Sequence, residues 1–534
     1  MTDRRTGWLA AIALASVGAS LVGRVVVRGS YYPGFDVHAA ANGLYLLSTR
    51  SPSDALAFVW DRSRTYAFPF PYYSVVYALL AGALTALHPW EWWPALLTFV
   101  SVAIALALLG RALGVARADA WVVVLALGAS PAMLSFAVAG MPWASAFLPH
   151  ALALWIVLDP RLRRHWLLAV LLCALTNELT WHVYELGKTA TVVFVVAALL
   201  LPDVPVGMRL LWLAAAALQI SEVFLLYPSQ HVQAAGGIVG LNVPTVLARL
   251  GDIAGMLFVA PQLDLPVLAV AAVLCALRPS RTRVLLLVLC AAQVGLVVLV
   301  ALREAGMAEV RARRFLVVDF YLLALVASLW GEANAARLKR AVVVVLLAGN
   351  LWALAGLVRF ARVPWEPARM GTVFTLPFVS SQLDYVLWPE HVDWALEMER
   401  RIDAGETMLL VYSLDAYDEN YSNPDGILER LYVRLGHRRF LDSVVVFSSV
   451  PCHHDCVPVR PLSELEPWLD ALRAAGPERW ARVVGYQVQP HQWDSVAFKA
   501  DREKTIVAID ARFMLVLDSP PTDRVVRFHL ERQR

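Results

Sequence analysis

The sequence predicts a mainly α-helical, polytopic membrane helix bundle, followed by a C-terminal extracytoplasmic α/β domain. Hydrophobic residues make up 59% of the 534 residues and charged residues only 17%, whereas an average soluble domain is about one quarter charged. Residues 1–364 hold 27 basic and 17 acidic side chains, while residues 365–534 hold 19 and 26. Apolar stretches near the ~20 residues that cross a bilayer recur throughout the first part. These observations predict a multi-span domain, 1–364, and a soluble domain, 365–534.

Eleven apolar segments are predicted to cross the membrane. They lie at 7–27, 95–112, 120–137, 143–158, 166–183, 188–202, 210–228, 264–278, 284–302, 314–330 and 341–361. The first follows Arg4 and Arg5 like a signal peptide, but its apolar run is longer, so it is expected to remain as an uncleaved anchor. A twelfth stretch, 71–88, is ambiguous.

Loop charge predicts the orientation, because cytoplasmic loops collect Lys and Arg. If 71–88 does not cross, alternate loops are all arginine-rich, with Arg4, Arg5, Arg111, Arg117, Arg161, Arg163, Arg164, Arg209, Arg278, Arg281, Arg283, Arg337 and Arg340. If it crosses, every one of these loops after the first faces outward. We therefore expect 71–88 to lie at the outer surface as an amphipathic or re-entrant helix. The N-terminus is then cytoplasmic, and the first outer loop, 28–94, shares the extracytoplasmic side with residues 365–534.

The C-terminal part is predicted to begin after the proline-rich stretch 363–367, which breaks the last membrane helix. Predicted strands are 408–413, 443–450, 482–488, 505–518 and 524–529, and predicted helices are 426–436 and 463–475. Ser463 and Glu466 have the spacing of a helix-capping box. Strand–helix alternation with a closing hairpin indicates a small α/β domain, and no Gly-rich phosphate loop follows a strand.

The five cysteines divide into two groups. Cys173, Cys275 and Cys290 fall in predicted spans and are expected to be apolar filler. Cys452 and Cys456 flank a His-His-Asp sequence in the C-terminal part. A local disulfide is favoured there, because the domain is predicted to lie in an oxidising compartment, and metal ligation is the alternative.

Asp36 stands directly after the first span, at the start of a predicted short helix. A carboxylate there either caps the helix or acts as a general base that accepts a proton from a hydroxyl. Basic residues also lie on the outer side, where the charge rule disfavours them: Arg50, Arg62, Arg64, Arg303, Arg311, Arg313 and Arg314. They indicate either an anionic ligand, such as a lipid phosphate, or side chains that reach the headgroups.

Three polar residues, Glu178, His182 and Glu185, share one face of the fifth predicted span near its outer end. That face either holds a divalent metal, bonds a sugar, or simply lines a watery cavity. Glu222 and Asp319 also lie within apolar runs. Intramembrane carboxylates are costly and are therefore candidates for a functional site. For Asp319 the simpler alternative is an ion pair with Arg314, about one helical turn away.

The order of features after the first span resembles the first outer loop of the GT-C glycosyltransferases. An acidic residue, Asp36, is followed by a surface helix, an aromatic and proline-rich stretch at 66–73, and a second surface helix. The stretch 311–316 is similar to the Arg-Tyr-Leu opening of a late span in that superfamily. The resemblance implies a membrane enzyme that transfers a sugar from a polyprenyl-phosphate carrier to a lipid, glycan or protein acceptor outside the cytoplasm.

By this resemblance Asp36 is the catalytic carboxylate, and Lys188 is similar in place to a lysine that contacts the carrier phosphate in aminoarabinose-transferring relatives. An alternative for Lys188 is an ion pair with Glu185. The other expected substrate-binding residues are His38, Arg62, Arg64, Tyr66, Glu178, His182, Glu185, Arg311, Arg313, Arg314 and Asp319. Two family features are missing: the stretch 140–145 has no second outer carboxylate, and no Trp-Trp-Asp signature occurs. Transfer of a whole glycan to asparagine is therefore not expected.

Cofactors and partners are less closely defined by the sequence. No cofactor is assigned, and a divalent metal stays an open alternative. The net charge of +3 gives no indication of a nucleic-acid partner, so membrane lipid and the lipid-linked donor are the expected partners. Two other function classes remain: a transporter or flippase of a lipid-linked saccharide, and a non-catalytic envelope assembly protein.

Overall fold

The computed structural model is mostly helical and has one small sheet near the C-terminus. It describes residues 4–30, 34–51, 53–55, 57, 75–90, 92–130, 134, 142–183, 185–226, 244, 247, 265–303, 316–332, 334–361, 389–411, 424–448, 460–488, 496–519 and 525–533. The α-helices described up to residue 361 are α1 (Arg4–Ser30), α2 (Gly34–Thr49), α3 (Val75–Leu87), α4 (Trp93–Ala112), α5 (Trp121–Gly128), α6 (Phe147–Leu158), α7 (Trp166–His182), α8 (Thr191–Leu200), α9 (Val206–Leu226), α10 (Leu265–Leu277), α11 (Arg281–Arg303), α12 (Leu316–Ala327) and α13 (Ala336–Ala361).

The chain divides into two compact units. The first unit comprises Met1–Gly29, Asp61–Ser74 and Ala95–Leu383, and the second comprises Ser30–Trp60, Val75–Pro94 and Asp384–Arg534. The second unit therefore contains α2 and α3 of the predicted outer loop together with the C-terminal part. The predicted domain boundary after residue 364 stays a prediction.

The helices of the first unit overlap the predicted apolar segments. Every helix up to α13 except α2 and α3 lies on one of the eleven segments. Among the described residues, Trp93–Ala112 and Ala336–Ala355 are both long and apolar enough to cross a membrane by length and composition. Shorter apolar helices occupy several of the other segments. The number of spans accordingly stays a prediction.

Helix α12 forms the centre of the first unit, since all of its residues are buried. It packs against α5, α10 and α11. A helix that is apolar on nearly every side is typical of a protein core or a membrane span. Five 3-10 segments are described in this unit, and three of them directly continue a helix: Pro142–Ala146 before α6, Glu185–Ala190 before α8 and Ser328–Gly331 after α12.

The C-terminal part of the second unit is an α/β fold. Its elements are α14 (Pro389–Asp403), β1 (Thr407–Val411), α15 (Pro424–Leu435), α16 (His437–Ser443), β2 (Val444–Ser448), β3 (Arg460–Pro461), α17 (Leu465–Ala474), α18 (Pro477–Trp480), β4 (Val483–Val488), α19 (Val496–Asp510), β5 (Phe513–Leu517) and β6 (Val525–Arg532). The sheet order is β3-β2-β1-β4-β6-β5, with β6 antiparallel to β4 and β5 and the other pairs parallel. Leu409, Phe447, Leu469 and Phe528 belong to its core.

Two local predictions for this part were wrong. The predicted strand 505–518 is helical in its first half, because Thr505, Ala508 and Ile509 are buried at helical spacing and outweigh the strand preference of a β-branched run. No side-chain cap bond is made at the start of α17, where Ser463 was predicted to cap. Ser463 lies inside a preceding 3-10 turn, and the Glu466 carboxylate bonds to Arg512 instead of reaching back.

Helices α2 and α3 cross with their backbones in contact. A Cβ atom placed on Gly43 would lie 1.7 Å from the carbonyl oxygen of Ala78, and one on Gly82 would lie 2.2 Å from the Gly43 carbonyl carbon. Only glycine allows such an approach. Helix α2 also packs on α15 and α16, where the Tyr45 ring meets the His437 ring edge-on at 6.3 Å between centroids. The helix that carries Asp36 is thus built into the α/β fold.

Candidate functional site

The structure places the predicted catalytic carboxylate on helix α2, which begins at Gly34. Asp36 and His38 lie in the first turns of this helix, and their side chains lie outside the described residues. Their predicted roles therefore stay predictions, with a cap and a general base both open for Asp36. Also outside the described residues are Arg62, Arg64, Tyr66, Arg311, Arg313, Arg314, Cys452 and Cys456.

A break between α7 and α8 forms the centre of the candidate site. Helix α7 ends at His182, and the chain re-enters the unit through the 3-10 segment Glu185–Ala190. A Cβ atom on Gly187 would lie 3.2 Å from Pro149 Cγ and 2.4 Å from Val183 Cγ2, so the segment packs closely on α6. In a membrane protein, backbone outside regular helices is tolerated where it is buried in protein or lines a cavity.

Charged and aromatic side chains gather around this break. Lys188 Nζ lies 5.1 Å from the centre of the Trp181 ring, within cation–π range. Trp181 Nε1 donates a hydrogen bond of 3.0 Å to Glu222 Oε2, and Glu178 Oε2 lies 3.7 Å from His182 Nε2. We call these five residues the outer cluster. Four of these residues were singled out in the sequence, whereas Trp181, which contacts Lys188 and Glu222, was not.

Buried hydrogen bonds support the break from one side. His150, fully buried in α6, has its Nδ1 2.7 Å from the Tyr321 hydroxyl and its Nε2 3.1 Å from the Leu186 carbonyl oxygen. The Thr189 hydroxyl also donates to the Leu186 oxygen, at 2.7 Å. An unpaired carbonyl is costly in an apolar unit, and these bonds give the Leu186 oxygen two side-chain partners. They hold the segment that carries Lys188 in one place.

A second set of bonds supports the break from α9. The Thr191 hydroxyl is placed for bonds to Gln219 Oε1, at 2.7 Å, and to the Lys188 carbonyl oxygen, at 2.6 Å. Gln219 Nε2 donates to the Thr180 hydroxyl, and Thr180 donates to the Asn177 carbonyl oxygen at 2.7 Å. These polar residues were not identified from the sequence. Thr180, Thr191 and Gln219 each stand close to other polar residues, and no sequence signal distinguishes them.

The other predicted site residues are only partly described. Asp319 is 3% exposed and lies in the first turn of α12, where a carboxylate interacts favourably with the helix N-terminus. Its predicted partner Arg314 lies outside the described residues, and so does the side chain of Glu185. Within the described part of the chain, His, Cys, Asp and Glu side chains form no group of three that could hold a metal ion. The divalent metal stays an alternative.

The three cysteines of the first unit are not in disulfide bonds. Cys173 and Cys290 are buried and Cys275 is partly buried. This agrees with their predicted role as apolar filler, because a free buried cysteine behaves as a small hydrophobic residue.

The chain is similar over nearly its whole length to a solved structure, the crystal structure of ArnT from Cupriavidus metallidurans in the apo state. The identity is 12%, the TM-score is 0.49, and the similarity covers 98% of each chain. At this TM-score the likeness assigns no role to any residue. No protein-family model matches the sequence, and no curated protein matches it.

Proposed function

We propose that the protein is a membrane glycosyltransferase of the GT-C type. It would move a sugar from a polyprenyl-phosphate carrier to an acceptor on the extracytoplasmic face. The observation that carries this proposal is the outer cluster at a helix break in an apolar unit, in which Trp181 contacts Lys188 and Glu222, and Glu178 pairs with His182 on the same helix. Charged groups are costly in such surroundings, and a bound polar ligand would offset that cost.

The cluster suits a lipid-linked sugar phosphate. Lys188 supplies a cation for the departing phosphate, and stabilising that developing charge is a large part of transferase catalysis. Trp181 supplies an aromatic face on which a sugar ring packs, and Glu222 and Glu178 supply acceptors for sugar hydroxyls. The hydrogen bonds of the Leu186 and Lys188 carbonyl oxygens hold the backbone at Lys188 in place. Preorganisation of this kind is what a binding site requires.

Asp36 is proposed as the general base that takes the proton from the attacking hydroxyl of the acceptor. Helix α2 is held by the Gly43–Gly82 crossing and by packing on α15 and α16. Because α2 and the α/β fold form one packed unit, the outer loop and the C-terminal part are on the same side of the membrane in this proposal. The α/β fold would then help to recognise the acceptor.

A flippase of lipid-linked saccharide is the second candidate, and the 3-10 segments beside α6, α8 and α12 favour it, because transporters use broken helices. In transporters, however, the breaks lie near the middle of the membrane. Helix α8 and its 3-10 segment together span about 27 Å, at ~1.5 and ~2.0 Å per residue. In the proposed transferase the 3-10 segment and α8 form one crossing, and the end of α7 at His182 lies at one end of that crossing rather than in its middle. A non-catalytic assembly protein is the third candidate, with no observation in its favour.

The test of Asp36 is the Asp36→Asn variant in proteoliposomes that contain a polyprenyl-phosphate-linked sugar donor. Because a general base contributes about 10²–10⁴-fold to the rate, sugar transfer is expected to fall by at least ~100-fold. The matched control is Asp54→Asn on the same loop, where the carboxylate accepts a 2.6 Å bond from Ser51 and an amide oxygen can replace it. Transfer that is unchanged in Asp36→Asn would contradict the catalytic assignment.

The same vesicles separate the transferase from the flippase. A transferase converts the donor without moving it across the bilayer, whereas a flippase moves a fluorescent donor across the bilayer and forms no product. Translocation by the unsubstituted protein without product formation would replace the first candidate with the second.

Lys188→Gln tests the phosphate-binding role of the outer cluster. Charge-assisted hydrogen bonds contribute about 1.5–3 kcal/mol, so the KM for the donor is expected to rise about 10–100-fold. Lys504→Gln, on the exposed side of α19, is the control and should leave the KM unchanged. An equal KM in both variants would remove Lys188 from the donor site.

A further inference from the structure

A cleft of about 960 Å³ lies in the first unit between α1, α4 and α5. Its walls are apolar over most of their length and include Val17 of α1, Phe99 and Leu106 of α4, and Val123 and Leu127 of α5. Cavities of this size hold sizeable ligands, and apolar walls favour an apolar one. The cleft is separate from the outer cluster, none of whose residues lines it.

Arginine residues line one end of the cleft. Arg111, Arg117 and Arg161 line it there together with a single carboxylate, Asp159. That carboxylate already has partners: its Oδ2 accepts a 3.0 Å bond from Trp155 Nε1 and lies 3.9 Å from Arg111 Nε, and its Oδ1 accepts a 2.8 Å bond from the Arg161 amide. Three cations and one occupied anion leave an excess of positive charge. The arginine side chains are exposed and belong to loops predicted to be cytoplasmic.

The length of the cleft matches one membrane leaflet. Phe99 and Arg111 are twelve residues apart on α4, which is about 18 Å of helix. Half of a ~30 Å hydrocarbon core is about 15 Å. An acyl chain whose headgroup lies at Arg111 would therefore reach Phe99. Gly110 and Gly114 line the cleft beside the arginines and leave room there for a headgroup.

We propose that this cleft binds one acidic phospholipid of the cytoplasmic leaflet. Its phosphate is held by the three arginines and its acyl chain lies along α1, α4 and α5. Arginine suits phosphate because its planar fork donates two parallel hydrogen bonds. The apolar walls favour a lipid over free phosphate, and the excess positive charge favours an acidic lipid over a zwitterionic one. The proposal does not depend on the proposed transferase function.

The first test measures lipid retention by native mass spectrometry on the full-length protein, delipidated and then titrated with phosphatidylglycerol or phosphatidylcholine. The unsubstituted protein is expected to retain phosphatidylglycerol at least tenfold more strongly. In the Arg111→Gln, Arg117→Gln, Arg161→Gln triple variant this preference should disappear. Equal retention of the two lipids by the unsubstituted protein, or a preference that survives in the triple variant, would overturn the proposal.

The second test fills the cleft. A Cβ atom on Gly110 would have its nearest neighbour, Val115 Cβ, at 3.9 Å, so Gly110→Leu introduces a side chain without a backbone clash. The control is Gly207→Leu on α9. Gly207 does not line the cleft, and a Cβ atom placed on it meets nothing within 4 Å. Gly110→Leu should lose retention of both lipids, while Gly207→Leu should keep it.

Glycerophosphoglycerol, which has the headgroup but no acyl chains, distinguishes binding of the headgroup from binding of the acyl chains. If it binds as strongly as phosphatidylglycerol, or if Gly110→Leu retains lipid at the unsubstituted level, the apolar cleft is not the site. If Gly110→Leu does not fold, the triple arginine variant still decides, since its substitutions are at exposed positions.

Discussion

Two polar contacts, one from each unit, show contrasting ways to satisfy polar groups. In the first unit, buried side chains bond to one another: the Ser20 hydroxyl donates a 3.0 Å bond to Asn350 Oδ1 and so joins α1 to α13. In the second unit, ion pairs lie at the surface. Arg512 pairs with Glu466 at 2.9 Å and with Asp470 at 2.6 Å, and both carboxylates are more than 60% exposed.

The difference follows from the solvent that each unit is proposed to meet. Water can replace a lost partner at an exposed ion pair, which is why such pairs contribute little. In an apolar surrounding no replacement exists, and a polar group left alone costs its full desolvation free energy. The same chemical substitution should therefore cost more in the first unit. Of the four predictions below, which are in order of expected effect, the third compares the units directly, and the others test close contact, burial and charge within one unit.

The largest effect is expected at the α2–α3 crossing. Although it belongs to the second unit, its two helices are in close backbone contact, as is common between membrane helices. Gly43→Leu places a side chain on the Ala78 carbonyl oxygen and should destabilise the second unit by about 3 kcal/mol or more. Thermal unfolding and proteolysis of the C-terminal part measure this. Gly295→Leu, where a Cβ atom meets nothing within 4 Å, is the control. Equal behaviour of the two variants would contradict the close crossing.

Two neighbouring arginines of α11 give the second test. Arg283 is buried, and its Nη2 lies 2.7 Å from Glu332 Oε1, whereas the ion pair of Arg281 with Asp203 is about 70% exposed on both sides. Arg283→Met should cost about 2–4 kcal/mol, less than for a fully buried pair because Glu332 keeps Arg278 at 3.0 Å. Arg281→Met should cost less than about 1 kcal/mol. Unfolding by denaturant in detergent measures the free energy of unfolding of both variants. Similar losses in the two variants would contradict the predicted difference between the buried and the exposed arginine.

A tyrosine–histidine pair occurs in each unit and gives the third test. Tyr321 bonds to His150 at 2.7 Å with both residues fully buried, and Tyr432 bonds to His437 at 2.8 Å with the histidine half-buried. Tyr321→Phe leaves a buried ring nitrogen unpaired and should cost about 1–3 kcal/mol. Tyr432→Phe should cost about 0.5–1 kcal/mol, because water can reach His437. A larger loss in the second unit would reverse the comparison.

The same pairs show what the sequence could and could not predict. The helices of the first unit could be placed from local apolar length, as at Trp93–Ala112. Partners that are distant in the chain could not: His150 and Tyr321 are 171 residues apart, and no local pattern relates them. For the outer cluster, Lys188 was singled out by its sequence position, but its contact with Trp181 depends on the break between α7 and α8.

The smallest effect is expected from two histidines of the second unit, whose pKa values shift in opposite directions. Burial and the neighbouring Arg438 lower the pKa of His437. Burial opposes the charge of His529 as well, but hydrogen bonds to Asp518 and Glu531 outweigh it and raise its pKa. His437 therefore favours folding above the ordinary histidine pKa of about 6.5, and this contribution is lost as the pH falls below it.

His529 favours folding below pH ~6.5, and this contribution is lost as the pH rises through its raised pKa. Unfolding of the second unit between pH 5 and 8 should thus become less pH-dependent on the acid side in His437→Gln and on the neutral side in His529→Gln. Both histidines are partly exposed, so solvent screening keeps the shifts small. If either variant moved the pH profile in the direction expected for the other, surface ion pairs would not govern the pH response of this unit.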